Sequence, residues 1–470
     1  MKNVFKIYFF FVLLSFAFST VRADQLDKFI TEQIQKRKIP GLSLAVIKDG
    51  KVIKATGYGF ANLELQVPAT QNTIYEIGSI SKQFASEALM LLVEDSKVNL
   101  DDPINKYLPA GAPATWQKIT VRDLLNHTSG LKDWTEIKDF SYRREYSAEE
   151  FVALVKDFPL LYQPRDNWSY SNTNLPLVGI IVEKASGKTY EEFVTERILK
   201  PLNLPSIRFK HQEDVVPNRS TGYELRNDKW ENGEPFRPKV IAPSGGILAT
   251  VIDLAKWWEA VLHGKIVKQT SLEQMLQPAK LNGGRTVAHG FAFFNDTFNG
   301  HKNIFHHGST VGGFGGVVRN FPKEKLTVAI IGNLEDGGFG AEYISKRVAN
   351  FYIPGAFIGG LKETKEETLN QTNNSLQTLK DIAENKNSES LTTSYASRIN
   401  ENFRKQTSEN LKQMKSFAYL GKEKITAEYF VLDPTLTEVF YYKMTLSDKI
   451  FYYHFRVNKD GKIGFIVTEV

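Results

Sequence analysis

Ser79-Ile80-Ser81-Lys82 sets a serine hydroxyl and a lysine amine three residues apart at the head of a strongly helical run. A serine hydroxyl is a weak nucleophile and needs a base within hydrogen-bond reach. On a helix, a side chain three residues on lies one turn along the same face. Burial beside other donors can lower a lysine's pKa until its amine accepts a proton. Backbone N–H groups at a helix start favour the negative charge that develops in acyl transfer. Residue types and spacing therefore point to a serine nucleophile activated by a lysine. The bare pattern is weak, since Ser129-Gly130-Leu131-Lys132 matches it too. Only the first match opens a run with a long apolar face, carried by Phe84, Ala85, Ala88, Leu89, Leu91 and Leu92. Gly130, directly after the second serine, argues against a helix start there.

Two later segments supply what such a serine needs: Tyr170-Ser171-Asn172 and His306-His307-Gly308. Gly-x-Ser-x-Gly is absent, which counts against an α/β-hydrolase. The eight histidines show no ligand spacing with nearby carboxylates, so neither a metal nor any other cofactor is expected. His127, in His-Thr-Ser-Gly, is expected to fix a turn.

Composition bounds the answer. The chain has 470 residues, 42% apolar and 24% charged, ordinary for a globular protein of two or three domains. The net charge is +6, three units of it from Lys2, Lys6 and Arg22, which is no footprint for nucleic acid. Residues 1–23 read as a signal peptide. Lys2 and Lys6 form a charged start, and Ile7 to Phe18 is apolar but short for a bilayer. Val21-Arg22-Ala23 offers small residues for cleavage before Asp24. An uncleaved anchor is the alternative, and no other segment approaches a membrane span. With no cysteine there is no disulfide framework. A periplasmic or secreted location is the expectation.

The elements that must position the candidate residues follow from patterning. Gly41 to Ala61 alternates and turns at Asp49-Gly50, a hairpin signal, and residues 79–95 form a helix. Helical and loop segments dominate from about 100 to 265. Strand signals return in HGFAFFND, FHHGST, GGVVRNFP and LTVAIIGN between 288 and 334. Strand-rich ends enclosing a helix-rich middle predict an α/β layer with an all-helical insertion and a site between them. The organisation expected is a signal peptide at 1–23 and a main domain at 24–355. A linker or exposed helix at 356–390 and a small α+β domain of about 391–470 would follow. In that last part 393–415 reads as an amphipathic helix, followed by four strands and a turn at Asn458-Lys459-Asp460-Gly461.

Six ordered blocks lift the nucleophile above chance: YEIGSISKQF, LDDPINKYLP, LLNHTSGL, WSYSNTN, PSGGILATVIDLAKW and FHHGST. From about Gly41 to Asn333 the chain resembles the serine β-lactamase and penicillin-binding-protein superfamily, nearest its class C and its esterase and D-peptidase branches. The resemblance implies an antiparallel sheet flanked by helices, with a helical insertion. It implies that Ser79 is acylated, that Lys82 takes its proton and that Tyr170 relays protons. It implies that Asn172 binds the acyl side-chain amide, and that His306 and Gly308 belong to the substrate-binding edge strand. The oxyanion hole would be the N–H groups of Ser79 and Ser309. His306 stands where penicillin-recognising members carry lysine, and Gly312-Gly313 lengthens the following loop by one residue.

The leading expectation is a serine hydrolase forming an acyl-enzyme on a small ester, amide or D-amino-acid peptide, of esterase, D-aminopeptidase or DD-carboxypeptidase type. Its partner would be a small molecule or a peptide, cell-wall peptides included. The alternatives are a β-lactamase and a non-catalytic sensor or scaffold on the same fold.

Overall fold

The structure, a computed structural model, describes residues 24–138, 140–234, 239–335, 339–364, 369–386, 388–425 and 435–469. The expected signal peptide lies outside the described residues. The chain forms two compact units, the first running to Tyr352 and the second built mainly from Ile353 onward, with 284–288 and 298–300.

In the first unit, helix α1 (residues 24–37) leads into β1 (Gly41–Lys48) and β2 (Lys51–Asn62). Asp49 and Gly50 both take positive φ, 50° and 73°, the geometry of the two-residue hairpin turn that Asp-Gly favours. The sheet is completed by β3 (Phe294–Phe298), β4 (His301–Thr310), β5 (Phe314–Phe321) and β6 (Leu326–Gly332). Its order is β3-β4-β5-β6-β1-β2, with a two-residue strand at Val67–Pro68 on the far edge. β1 pairs antiparallel with β6, so the two ends of the unit meet in mid-sheet, Leu44 opposite Ile330.

Helices cover both faces, and strand alternation shows how. On β5, Arg319 donates to Ser345 of α5 (Phe339–Tyr352), while its neighbour Asn320 reaches Glu259 of α4 (Val251–Leu262) on the opposite face. The helical insertion centres on α2 (Ser81–Glu94) and α3 (Asn174–Ser186). Every residue of α2 from Ser81 to Leu92 is buried, so it is a core helix, apolar or satisfied all round. Phe84 stacks on Trp257 at 3.8 Å between ring centroids, and Glu87 accepts from the Trp257 indole. Burial pushes the Glu87 carboxyl well above its usual range, so it is held as the neutral acid.

Three places differ from the sequence reading. The 100–265 stretch contains strands: Ile247–Thr250 lies between Ile74–Glu76 and Arg208–Phe209 in a small sheet that carries the chain into the Ser79 turn. These strands are too short for period to reveal. In the second unit, the segment read as a linker or exposed helix contains α6 (Leu369–Ala383), whose Leu379 and Ile382 are buried three residues apart in that unit's core. The run 393–415 breaks into a short helix at Thr393–Ala396 and α7 (Glu401–Gln413), because Asn400 caps a new start by accepting from the Phe403 amide. The four strands β7 (Ser416–Lys424), β8 (Leu436–Thr445), β9 (Ile450–Asn458) and β10 (Ile463–Glu469) form a simple antiparallel meander. The last turn closes as the Gly461 amide donates to Asn458.

Candidate functional site

Strand Ile74–Glu76 ends in a single 3-10 turn, Gly78–Ile80, that runs directly into α2. Gly78 has φ 53°, and a Cβ there would lie 2.7 Å from the Ser309 nitrogen. A Cβ on Gly308 would lie 2.1 Å from the Ile77 carbonyl and 3.0 Å from the Ser79 nitrogen. Two glycines thus let β4 press against the turn and bring the amide nitrogens of Ser79 and Ser309 to one seam.

Ser79 is half-buried at the head of this turn. Lys82, one turn along, is fully buried. Its Nζ donates to Ser79 Oγ at 2.9 Å and to the Ser244 carbonyl at 2.9 Å. Burial lowers the Lys82 amine to a pKa of about 7, against the pull of Asp133, which favours the charged form. At neutral pH a large share of this amine is therefore free to take a proton. The other Ser-x-x-Lys match does not assemble: Ser129 is buried and donates to Asn174, while Lys132 pairs with Glu136.

Tyr170 lies over the same amine, its ring centroid 5.0 Å from Lys82 Nζ. Burial raises its phenol well above the usual value, partly offset by a hydrogen bond with Ser79. Tyr170 is thus a protonated hydroxyl that can pass a proton, and Lys82 is the group able to accept one first. The loop holding Tyr170 is clamped by His127, whose own backbone takes φ 57°. The imidazole stacks on Tyr170 at 4.6 Å and 15°, and its Nδ1 accepts from the Ser171 amide at 3.1 Å. A backbone N–H can only donate, so the ring proton sits on Nε2.

Asn172 donates from both its amide nitrogen and its Nδ2 to Asp133 Oδ2, each at 2.9 Å. Sequence reasoning did not reach Asp133 or the Ser244 carbonyl. Asp133 lies two residues past LLNHTSGL, but nothing in its type or spacing marks it, and a backbone carbonyl carries no sequence signal.

His306 is completely buried, its ring 6.2 Å from Tyr170 and 5.0 Å from Phe294. Its Nδ1 lies 2.5 Å from the His307 carbonyl. Burial, helped by the charges of His307 and Lys82, holds it well below the ordinary histidine pKa, so it is neutral. Gly308 is buried on the same strand, opposite Gly316. Ser309 is partly exposed and its hydroxyl donates to Glu335 at 2.7 Å. Among the described residues no group of three or more histidine, cysteine or acidic side chains could hold a metal. No helix among them is long and apolar enough to cross a membrane.

The Beta-lactamase family profile matches residues 26–351. Protein flp of Staphylococcus aureus (strain N315) is 27% identical over 328 residues, which cover 69% of this chain and 65% of that protein's own length. Penicillin-binding protein 4* of Bacillus subtilis (strain 168) is 25% identical over 319 residues, covering 64% of this chain and 70% of its own. Among solved structures, the octameric penicillin-binding protein homologue from Pyrococcus abyssi superposes with a TM-score of 0.60 at 25% identity, covering 95% of this chain and 89% of that one. D-amino acid amidase from Ochrobactrum anthropi SV3 gives a TM-score of 0.60 at 25% identity, over 70% of this chain and 97% of that one. With the family profile spanning most of the chain and the antiparallel sheet flanked by helices in place, this protein belongs to the Beta-lactamase family, within the β-lactamase/transpeptidase-like serine hydrolase superfamily.

Proposed function

We propose that the protein is a serine hydrolase that forms an acyl-enzyme on Ser79 with a small ester, amide or D-amino-acid peptide. The observation that carries this is the buried Lys82 amine, 2.9 Å from Ser79 Oγ and lowered to a pKa of about 7. The neutral amine takes the hydroxyl proton as Oγ attacks the carbonyl carbon. The amides of Ser79 and Ser309 stabilise the resulting oxyanion. As the tetrahedral intermediate collapses, the proton passes from Lys82 through the Tyr170 hydroxyl to the leaving group. Water then enters by the reverse relay and releases the acid. The amidase and penicillin-binding relatives support amide and D-residue chemistry as the range to test.

The neutral, buried His306 weighs against the β-lactamase reading, since it offers no positive charge to a penicillin carboxylate. The assembled Ser79, Lys82 and Tyr170 weigh against a non-catalytic scaffold. Residues 1–23 support export, and N-terminal sequencing of the mature protein should begin at Asp24. The experiment is fluorophosphonate labelling of the wild type and Ser79→Ala. Activity screens on p-nitrophenyl esters, nitrocefin and D-alanyl-D-alanine peptides follow. Labelling confined to Ser79, with ester or amide turnover, supports the reading; labelling of Ser129 or Ser309 overturns it.

A further inference from the structure

Tyr170 and Asn172 alternate along the chain with residues that are fastened to the segment 127–132. The Ser169 amide donates to the His127 carbonyl at 3.1 Å, and the Ser171 amide to His127 Nδ1 at 3.1 Å. The Thr173 hydroxyl donates to the Lys132 carbonyl at 2.6 Å. His127, Ser129, Ser171, Thr173 and Asn174 are all buried. Positions 169, 171 and 173 are thus held, and the two between them reach into the site, Tyr170 over Lys82 and Asn172 to Asp133.

One backbone amide fixes every proton in this network. The Ser171 N–H can only donate, so His127 Nδ1 accepts. The Asn174 side chain also meets Nδ1, at 3.1 Å, and must present its Nδ2 there. Its Oδ1 then faces Ser129, whose hydroxyl donates to it at 2.8 Å and accepts from the Leu131 amide at 3.1 Å. Turning Asn174 over would set its Oδ1 against Nδ1, acceptor against acceptor. A proton on Nδ1 would oppose two N–H groups at once, so His127 is not built to shuttle protons. Its ring instead lies flat on Tyr170, 4.6 Å away and inclined by 15°. Its backbone is held at φ 57°, a conformation that costs free energy for a residue with a Cβ and persists where the surroundings enforce it.

We propose that His127 is a positioning residue for the proton relay. By holding the Tyr170 phenol in place it sets how well the leaving group is protonated, and it leaves the attack of Ser79 to Lys82. Ser129 and Asn174 act through His127. This rests on the serine hydrolase reading and assigns a residue to one step of it. A p-nitrophenolate departs without a proton, whereas an alkoxide must receive one as its bond to the carbonyl carbon breaks. Only the second kind of leaving group depends on the relay.

The test offers the acyl group turned over fastest in the activity screens as its p-nitrophenyl ester and as its ethyl ester. The ratio of kcat/KM for the two is measured in the wild type, Tyr170→Phe, His127→Phe and Ser129→Ala. Because kcat/KM reports acylation, the deacylation step that both esters share drops out. Tyr170→Phe sets the limit, with the ethyl ester losing ~10²–10⁴ relative to the p-nitrophenyl ester, the scale of general acid catalysis. His127→Phe keeps a ring but has no Nδ1 to answer the Ser171 amide. Its ethyl ester rate should fall roughly tenfold or more, the cost of a displaced catalytic group, and its p-nitrophenyl ester rate by no more than about threefold. Ser129→Ala leaves the ring and frees only the Asn174 amide, so it should move the ratio in the same direction by about threefold. It carries the test if His127→Phe does not fold. An equal fall for both esters makes the network a support for the fold alone and overturns the proposal, as does a wild-type ratio in the folded variants. If the wild type hydrolyses neither ester, or if Tyr170→Phe leaves the ratio unaltered, the hydrolase reading or its relay fails and the proposal falls with it. A Tyr170 effect without a His127 or Ser129 effect sinks the proposal alone.

Discussion

Replacing Lys82 by methionine should stabilise the protein near pH 6 while abolishing Ser79 reactivity. Lys82 is completely buried and its pKa falls from the ordinary lysine value to about 7. That depression corresponds to about 5 kcal/mol of disfavoured charge burial. Methionine removes that cost but forfeits two hydrogen bonds, to Ser79 Oγ and the Ser244 carbonyl, at about 1 kcal/mol each. The sign follows from proton uptake. Between pH 7 and about 10.4 the unfolded chain holds a proton on Lys82 that the folded protein has released, so wild-type stability rises with pH across that window. Below pH 7 both states are protonated and the full cost applies. Lys82→Met should thus be more stable than wild type by about 2–3 kcal/mol at pH 6, with the margin vanishing near pH 9. The buried histidines titrate in both proteins and largely cancel in the difference. Urea unfolding at pH 6, 7, 8 and 9 measures it. A margin that does not change with pH, or a wild type that is the more stable at pH 6, would refute the claim that this amine is held near neutrality by burial.

Three further outcomes follow from the geometry. Gly308→Ala should cut acylation by two orders of magnitude or more, because its Cβ would lie 2.1 Å from the Ile77 carbonyl and 3.0 Å from the Ser79 amide; losses of ~10²–10³ are typical when one oxyanion donor is spoiled, and an unchanged labelling rate would contradict the seam described. His306→Lys should improve kcat/KM for substrates bearing a carboxylate relative to neutral esters, at a cost in stability from burying the charge; an unaltered ratio would show that this strand position does not set anion preference. A chain ending at Pro354 should keep turnover of small esters, since Ser79, Lys82, Tyr170 and Ser309 all lie in the first unit; a folded but inactive truncation would give the second unit a part in the site.

Much of this was legible because the informative signals are local. Asp49-Gly50 specifies its hairpin through φ values that few other pairs adopt, and β1, β5 and β6 each carry apolar or glycine-rich runs. The Ser79–Lys82 spacing needs only one helical turn to bring its atoms together. What escaped depends on tertiary context. Whether Leu379 and Ile382 face solvent depends on a sheet that forms from residues after them. Asp133 gains its meaning only when the chain brings Asn172, nearly forty residues later, to its carboxylate. His127 reads in sequence as a turn residue; it also stacks on Tyr170, a contact that its position in the sequence cannot announce.

The central claim is that a neutral Lys82 activates Ser79, and the pH dependence of Ser79 labelling tests it most directly. An uncharged fluorophosphonate applied from pH 5.5 to 9.5, with adduct formation at Ser79 followed by mass spectrometry, reports the fraction of enzyme whose base is free. The labelling rate should fall about tenfold per pH unit below the midpoint, lie half-maximal near pH 7 and level off above pH 8, following the pKa of about 7. A midpoint near that of an ordinary lysine, or a profile that Lys82→Met leaves unaltered, would contradict it.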